Sequence, residues 1–324
     1  MSDVPADALR GIVARLDELI AARPDGAAGG FAPNGKVRTH EYGAFRSSFH
    51  GRGMEFDEAR IYQPGDDIRT IDWRVTARTG KVHTKLFHEE RERPVLIMAD
   101  IRTAMRFGTR AMFKSVLAAK AAAVLTWVAI EGNDRVGGMV LSPHGQRQFR
   151  PQRSRARILA FVKAIAEATA EGFDEDGFAI ERPAAEPSLA DALGRLRLTA
   201  RPGTLVFIVS DFHDFDEAAS RELSRLARHS HVTNLLVYDG IEADAPQRGI
   251  YSVSDGEAVA VLDADSEAVR QAYAQRFRER REMIEALSRQ RGMAFVPLVT
   301  GQDPTDVLHP ERLRAAGRVR RTAA

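Results

Sequence analysis

The chain has 324 residues, long enough for one large or two ordinary domains that bury a core without cross-links. Its 44% apolar and 28% charged content is that of a soluble globular protein, and the absence of cysteine excludes disulfides, thiol catalysis and thiolate-held zinc or iron–sulfur centres. Lysine and arginine number 47 against 45 acidic residues, so the basic excess that nucleic-acid binding favours is missing.

The first residues, Met1-Ser2-Asp3-Val4-Pro5, lack the basic flank and apolar core of a signal peptide. No window reaches the roughly 18 uninterrupted apolar residues of a membrane span, so a soluble, cytoplasmic protein is expected. Leu9, Ile12, Val13, Leu16, Leu19 and Ile20 recur at helical spacing and predict an amphipathic helix over 6–22. A glycine-rich linker follows to residue 30. Residues 31–93 are turn-rich, with short β-like pieces such as Lys81 to Phe87, and read as a small, partly β module.

From Pro94 the pattern alternates between strand and helix. Strands are expected at 94–99, 135–141, 204–210, 232–238 and 293–299, with a hairpin-like piece at 146–149 and strand pairs within 249–262. Helices are expected at 111–131, 155–171, 189–198, 217–229 and 266–290, and a closing helix at 303–316. Such alternation predicts an α/β domain over 94–308, with a mostly parallel sheet and helices on both faces. Residues 309–324 form a basic tail.

Asp100 closes the apolar run Pro94 to Ala99, the position at which open α/β sheets hold their ligands. The densest constellation lies earlier, where Arg52, Arg60, Arg69, Arg74 and Arg78 alternate with Glu55, Asp57, Glu58, Asp66, Asp67 and Asp72 around a Pro64-Gly65 turn. Arginine pairs bidentately with carboxylates and stacks on rings such as Trp73. Two readings stay open: an internal ion-pair network, or a docking face for a partner protein.

That stretch also carries a resemblance. Gly51-Arg52-Gly53-Met54-Glu55-Phe56, then Arg60, Tyr62, Gly65, Asp66, Asp67, Arg69, Ile71, Asp72 and Trp73 in order, then Ala77-Arg78, resemble the signature of the bacterial domain of unknown function fifty-eight family. The resemblance runs from about Phe31 to about Leu308. It implies a von Willebrand factor A-like domain over 94–308 and a MoxR-type AAA+ ATPase as partner. Many members begin with transmembrane helices; the polar amphipathic start here implies that membrane attachment does not carry over.

In von Willebrand A-like domains a metal-ion-dependent adhesion site joins Asp-x-Ser-x-Ser to a distant Thr and a distant Asp. Asp100 matches the first position, Ser188 falls near the Thr position and Asp211 matches the last, but Arg102 and Ala104 replace both serines. A hard cation needs several oxygen ligands, and a guanidinium repels it. Arg102 is therefore expected to neutralise Asp100, Asp211 or both in a metal-free pseudo-site; the alternative is that Arg102 points away and Asp100 caps the next helix.

Enzyme motifs fail one by one. Gly30 to Lys36 has the glycine and lysine spacing of a P-loop, but Val37 stands where Ser or Thr must hold Mg²⁺ and no strand–helix frame surrounds it. Arg102 fills the place of the second aspartate of a haloacid-dehalogenase-type phosphatase, and Gly-x-Ser-x-Gly is absent. His229 and His231, which flank Ser230, and His83 and His88 read as surface or hydrogen-bonded residues rather than ligands. The arginines of 266–290 alternate with glutamates as on a solvated face.

The sequence thus points to a non-catalytic interaction protein without cofactor, metal or nucleic acid. It would work with a MoxR-type AAA+ ATPase on a client complex, with the loops around Asp100–Met105, Ser188 and Asp211–His213 facing the partner and Arg102 receiving a partner carboxylate. The alternative is a metal-dependent ligand-binding or enzymatic domain using Asp100, Ser188 and Asp211.

Overall fold

A computed structural model describes residues 9–24, 31, 54–63, 66–89, 93–173, 185–244, 247–254 and 259–308. Arg52, Gly65, most of the P-loop-like stretch and the tail 309–324 lie outside them. The chain divides into two compact units, one of residues 1–37 with 93–324 and one of residues 38–92. In chain order the elements are α1 (Leu16–Ala21), β1 (Met54–Ile61), α2 (Trp73–Thr79), β2 (His83–Glu89), β3 (Pro94–Asp100), α3 (Lys114–Glu131), β4 (Arg135–Ser142), β5 (Gly145–Gln152), α4 (Arg155–Ala170) and α5 (Leu189–Thr199). They continue with β6 (Leu205–Ser210), α6 (Glu217–Leu226), β7 (His231–Tyr238), α7 (Gly240–Ala243), β8 (Ile250–Ser254), β9 (Val259–Asp263), α8 (Glu267–Arg291) and β10 (Ala294–Val299).

The larger unit is built on a sheet of order β10-β7-β6-β3-β4-β5, parallel except for the edge strand β5, which returns from β4 as a hairpin. Counted along this sheet the order is 3-2-1-4-5-6, so β3 and β6 are neighbours whose connections leave in opposite directions. β8 and β9 form a separate antiparallel pair. The unit has the mostly parallel α/β sheet, covered by helices on both faces, that the alternation after Pro94 predicts.

Strand parity sorts the core into two layers. Val95, Ile97 and Ala99 of β3 and Leu205, Phe207 and Val209 of β6 pack with α3 and α4, while Leu96, Met98, Val206 and Ile208 pack with α5, α6 and α8. Successive side chains of a strand point to opposite faces, so a strand covered on both sides is apolar throughout, as β3 is. α3 is enclosed on nearly every side, which accounts for its run of alanines and lack of a polar stripe. In β4, Gly137 and Gly138 let two backbones approach: a Cβ on Gly138 would sit 2.1 Å from the Ile97 carbonyl oxygen, and one on Gly137 2.4 Å from that of Phe149.

The N-terminal helix is shorter than its periodicity predicts. Helix starts at Leu16; Leu9 to Val13 form hydrogen-bonded turns. Gly11 takes a φ of 82°, which a helix does not accommodate, and its apolar neighbours bury through turns instead. Ala14 and Leu19 enter the α3–α4 core, the Ala14 N–H donates to Thr169 Oγ1 at 3.0 Å, and Trp127 Nε1 donates to the Leu19 carbonyl at 2.8 Å. This segment is a part of the larger unit.

The small unit pairs β1 with β2 antiparallel, with α2 between them in sequence. Asp72 caps α2 by accepting from the Arg74 and Val75 N–H groups, and Asp67 accepts from the Arg69 N–H at the turn before it. Arg60 pairs with Asp66 at 2.7 Å, and the Tyr62 N–H donates to the Val82 carbonyl. Trp73 is 68% exposed, with no arginine of the described residues stacked on it, and Arg69 and Arg78 are also exposed. Glu55 lies in β1.

Candidate functional site

Asp100 ends β3, and its even parity turns it toward the α5–α6 layer, where it is fully buried. Arg102 folds back on it: Nε donates to Asp100 Oδ1 at 3.0 Å and Nη2 to Oδ2 at 2.8 Å. The same guanidinium reaches Asp214 through Nη1 at 2.7 Å and Nη2 at 2.8 Å, and Nη1 also donates to the Pro187 carbonyl at 3.0 Å. A guanidinium has five N–H donors, and these five bonds use them all. The segments after β3, before α5 and after β6 are thus joined at one buried cation.

Asp211 is held by a different cation. It follows Ser210, so its parity is odd and it faces α3, where Lys114 Nζ approaches Oδ2 at 2.8 Å and Glu242 Oε1 at 3.1 Å. Lys114 and Asp211 are both buried, with side chains 3% and 2% exposed. The residue that shares the parity of Asp100 is Ser210, whose hydroxyl donates to Asp100 Oδ2 at 2.7 Å. Of the alternatives left open, Arg102 therefore neutralises Asp100, together with Asp214, and not Asp211.

Between these two carboxylates the chain reverses at Phe212, a buried aromatic residue with φ 52°. A left-handed conformation costs an L-residue about 1–2 kcal/mol. The Phe212 N–H is bound by Ser210 Oγ and the His213 N–H by Asp211 Oδ1, and the reversal returns Asp214 to Arg102. Asp214 also accepts from the Leu189 N–H at 2.9 Å, fixing the start of α5.

Burial acts against every charge here, and the partners outweigh it. It pushes the carboxyls of Asp211 and Asp214 up, but Lys114 holds the first and Arg102 the second below the ordinary aspartate range. Burial pushes the Lys114 ammonium and Arg102 guanidinium down, yet Asp211 with Glu242, and Asp100 with Asp214, leave both raised. All four groups stay ionised at neutral pH.

Ser188 is not part of this constellation. Its hydroxyl accepts from the Asp191 N–H at 3.1 Å and donates to Asp191 Oδ2 at 2.8 Å, capping α5. Ala104 sits in a single 3-10 turn, Thr103–Met105, and brings no ligand atom. Thr103 instead bonds Glu186 through its hydroxyl. A hard divalent cation, which takes about six or more oxygens, does not suit this donor set: Asp100 and Asp211 are engaged by fixed cations, and the two serine positions are filled by Arg102 and Ala104. Among the described residues no cluster of three or more His, Asp or Glu is arranged to hold a metal.

The sequence reading missed Lys114, Asp214, Ser210 and Glu242. Ser210 was legible by strand parity. Lys114, a lone basic residue at the head of an otherwise apolar helix, was legible as a buried charge in need of a partner.

Expected binding through Arg102 also fails on geometry. With five donors spent and the side chain 6% exposed, Arg102 has nothing left for a partner's carboxylate.

The chain is 28% identical over 255 residues to uncharacterized proteins of Mycobacterium bovis and Mycobacterium tuberculosis, covering 78% of this chain and 77% of each relative. Among solved structures it is similar to the conserved hypothetical protein BatB of Bacteroides thetaiotaomicron, at 15% identity and a TM-score of 0.39, over 69% of this chain and 99% of that one. It is also similar to the SpRpn10 VWA domain, at 12% identity and a TM-score of 0.36, over 67% of this chain and 93% of that one. The family model described as "Protein of unknown function DUF58" matches residues 58–283, more than half of the chain, and the protein belongs to that family.

Proposed function

We propose that this protein is a non-catalytic interaction module with a degenerate metal-ion-dependent adhesion site. In this reading it works in the cytoplasm with a MoxR-type AAA+ ATPase in the assembly or remodelling of a client complex. The observation that carries it is Arg102, which stands among the site carboxylates and spends all five donors joining three loops. A ligand end filled by its own cation offers no activated nucleophile and no open coordination position, so the surface over it serves recognition. Hydrolysis then belongs to the ATPase, and this chain supplies specificity. The arrangement fits the implied partner class, and among the described residues no helix is long and apolar enough to cross a membrane.

The test is size-exclusion chromatography of the chain mixed with the MoxR-type ATPase of the same genome, in EDTA and again in Mg²⁺. Co-elution in both buffers is expected, with ATP turnover altered by the added chain. Failure to co-elute removes the partnership. Micromolar Mg²⁺ or Mn²⁺ binding by calorimetry, abolished by Asp100→Ala, would instead establish the metal-dependent alternative.

A further inference from the structure

The two histidines that flank Ser230 take no part in the site above. They line a cleft of about 600 Å³ at the other end of the sheet. α6 ends at Leu226 and β7 begins at His231, so Arg228 and His229 lie in the turn between them. Beside it α8 ends at Arg291, Gly292 turns the chain at φ 69°, and β10 starts at Ala294, paired with Thr233 of β7. Because β7 and β10 are parallel neighbours, the two helix-to-strand turns lie side by side and bring Arg228, His229, His231 and Arg291 to one cleft.

Arg197, Arg221, Arg225, Arg270 and Arg289 are neutralised by glutamates, while other helix arginines, such as Arg195 and Arg276, have no ion pair among the described residues. What marks Arg228 and Arg291 is that both line one cleft. Among the described residues neither has a glutamate partner, and no acidic residue lines the cleft. A helix C-terminus attracts a cation, which accounts for one arginine at each end, but it contributes only about half a negative charge. Two permanent guanidinium charges exceed two such half-charges, so the cleft keeps a positive field that concentrates anions.

We propose that this cleft binds the phosphate groups of a small molecule, held between Arg228 and Arg291 with His229 and His231 as further donors. Guanidinium forks match phosphate oxygens bidentately. The volume falls in the range of small-molecule sites, about 300–1,000 Å³. A single phosphate fills only part of it, which favours a diphosphate or a phosphate ester.

Calorimetric titration of the full chain with inorganic pyrophosphate at low ionic strength, repeated with inorganic phosphate, tests the assignment. Saturable binding is expected, tighter for pyrophosphate and weakening as salt is raised. Arg228→Ala and Arg291→Ala should each weaken it about tenfold or more, as loss of a charge-assisted contact does. Arg228→Gln and Arg291→Gln, which keep length without charge, should do the same, and Arg276→Ala, an exposed arginine of α8 outside the cleft, should leave it unchanged. A nucleoside diphosphate run in parallel separates the sources: a gain over pyrophosphate assigns a nucleotide, and equality assigns the phosphates alone. Absence of saturable pyrophosphate binding, or equal weakening by all three alanine variants, overturns the proposal.

Discussion

At the C-terminal end of the sheet, two buried cations are each matched to one buried and one half-buried acid: Arg102 to Asp100 and Asp214, Lys114 to Asp211 and Glu242. At the N-terminal end, Arg228 and Arg291 line a cleft with no acid among the described residues of its walls. Solvent makes the difference. A charge withdrawn from water must find its partner within the chain, whereas one left in water can wait for a ligand. The end where α/β sheets usually bind is therefore chemically spent, and the opposite end is the one with donors free. Each substitution below tests one side of that contrast.

Arg102→Ala should have the largest effect. It strips Asp100 and Asp214 of their cation and leaves Asp100 fully buried with the Ser210 hydroxyl and the residue 102 N–H as remaining donors. Breaking a buried pair from one side costs about 3–5 kcal/mol. Denaturant unfolding should show that loss directly. Wild-type stability in this variant would mean that the guanidinium is not what holds the three loops together.

Lys114→Met should cost about 3 kcal/mol on the same reasoning, because Asp211 loses its ammonium while Arg280 still lies 3.5 Å from Glu242. It should also invert a pH dependence. In the native chain the Asp211 pKa is lowered, so its contribution is present above the ordinary value of 3.8 and lost as pH falls through the depressed one. The Lys114 pKa is raised, so its contribution is present below 10.5 and lost only as pH rises past that. Without the lysine, burial, the largest influence on Asp211, is opposed only by the weaker fields of Arg280 and His213, so the carboxyl should rise and stability should then fall as pH rises from 4 toward neutral. Urea midpoints at pH 4.5 and 7 distinguish the two slopes.

Much of this was legible in the sequence, and the failures share one cause. The alternation after Pro94 marked the strands because a sheet covered on both faces reads as apolar runs, and β3 and β6 fall within a residue of their expected bounds. Asp100 and Asp211 were legible as strand-end carboxylates. Arg102 was legible as a cation for Asp100. The choice between Asp100, Asp211 or both stayed open, because matching residues to a motif ignored the two-residue period of the strand. Asp100 faces α5 and Asp211 faces α3, so one guanidinium cannot serve both. Asp214 was hidden because it reaches Arg102 through the reversal at Phe212, a conformation that its side chain does not announce. The cleft was hidden for another reason: Arg228 and Arg291 are 63 positions apart, and only the pairing of β7 with β10 makes them neighbours.

Ser188→Ala sharpens the boundary of the upper site. If Ser188 acts as the α5 cap, its loss should cost about 1 kcal/mol, with no change in the coupling between Arg102 and Asp100. A double-mutant cycle with Asp100→Asn, at a residue that makes no bond to α5, should then be additive to within about 0.5 kcal/mol. Coupling above that would return Ser188 to the constellation from which its hydrogen bonds exclude it.

The smallest expected effect decides whether the lower end is built for a ligand or for the fold. Arg228→Ala and Arg291→Ala remove exposed side chains that have no carboxylate partner among the described residues, so each should shift stability by no more than about 0.5 kcal/mol. Relief of their mutual repulsion argues for a slight gain, and loss of a cation at a solvent-exposed helix C-terminus for a slight cost of about 0.3 kcal/mol. Salt separates the two terms. If repulsion dominates, the double variant gains most at low ionic strength and the gain fades as salt is added; if the helix ends dominate, the low-salt change is a loss. A loss of several kcal/mol would show that the arginines hold the two turns together, and the contrast between a spent end and a free one would fail.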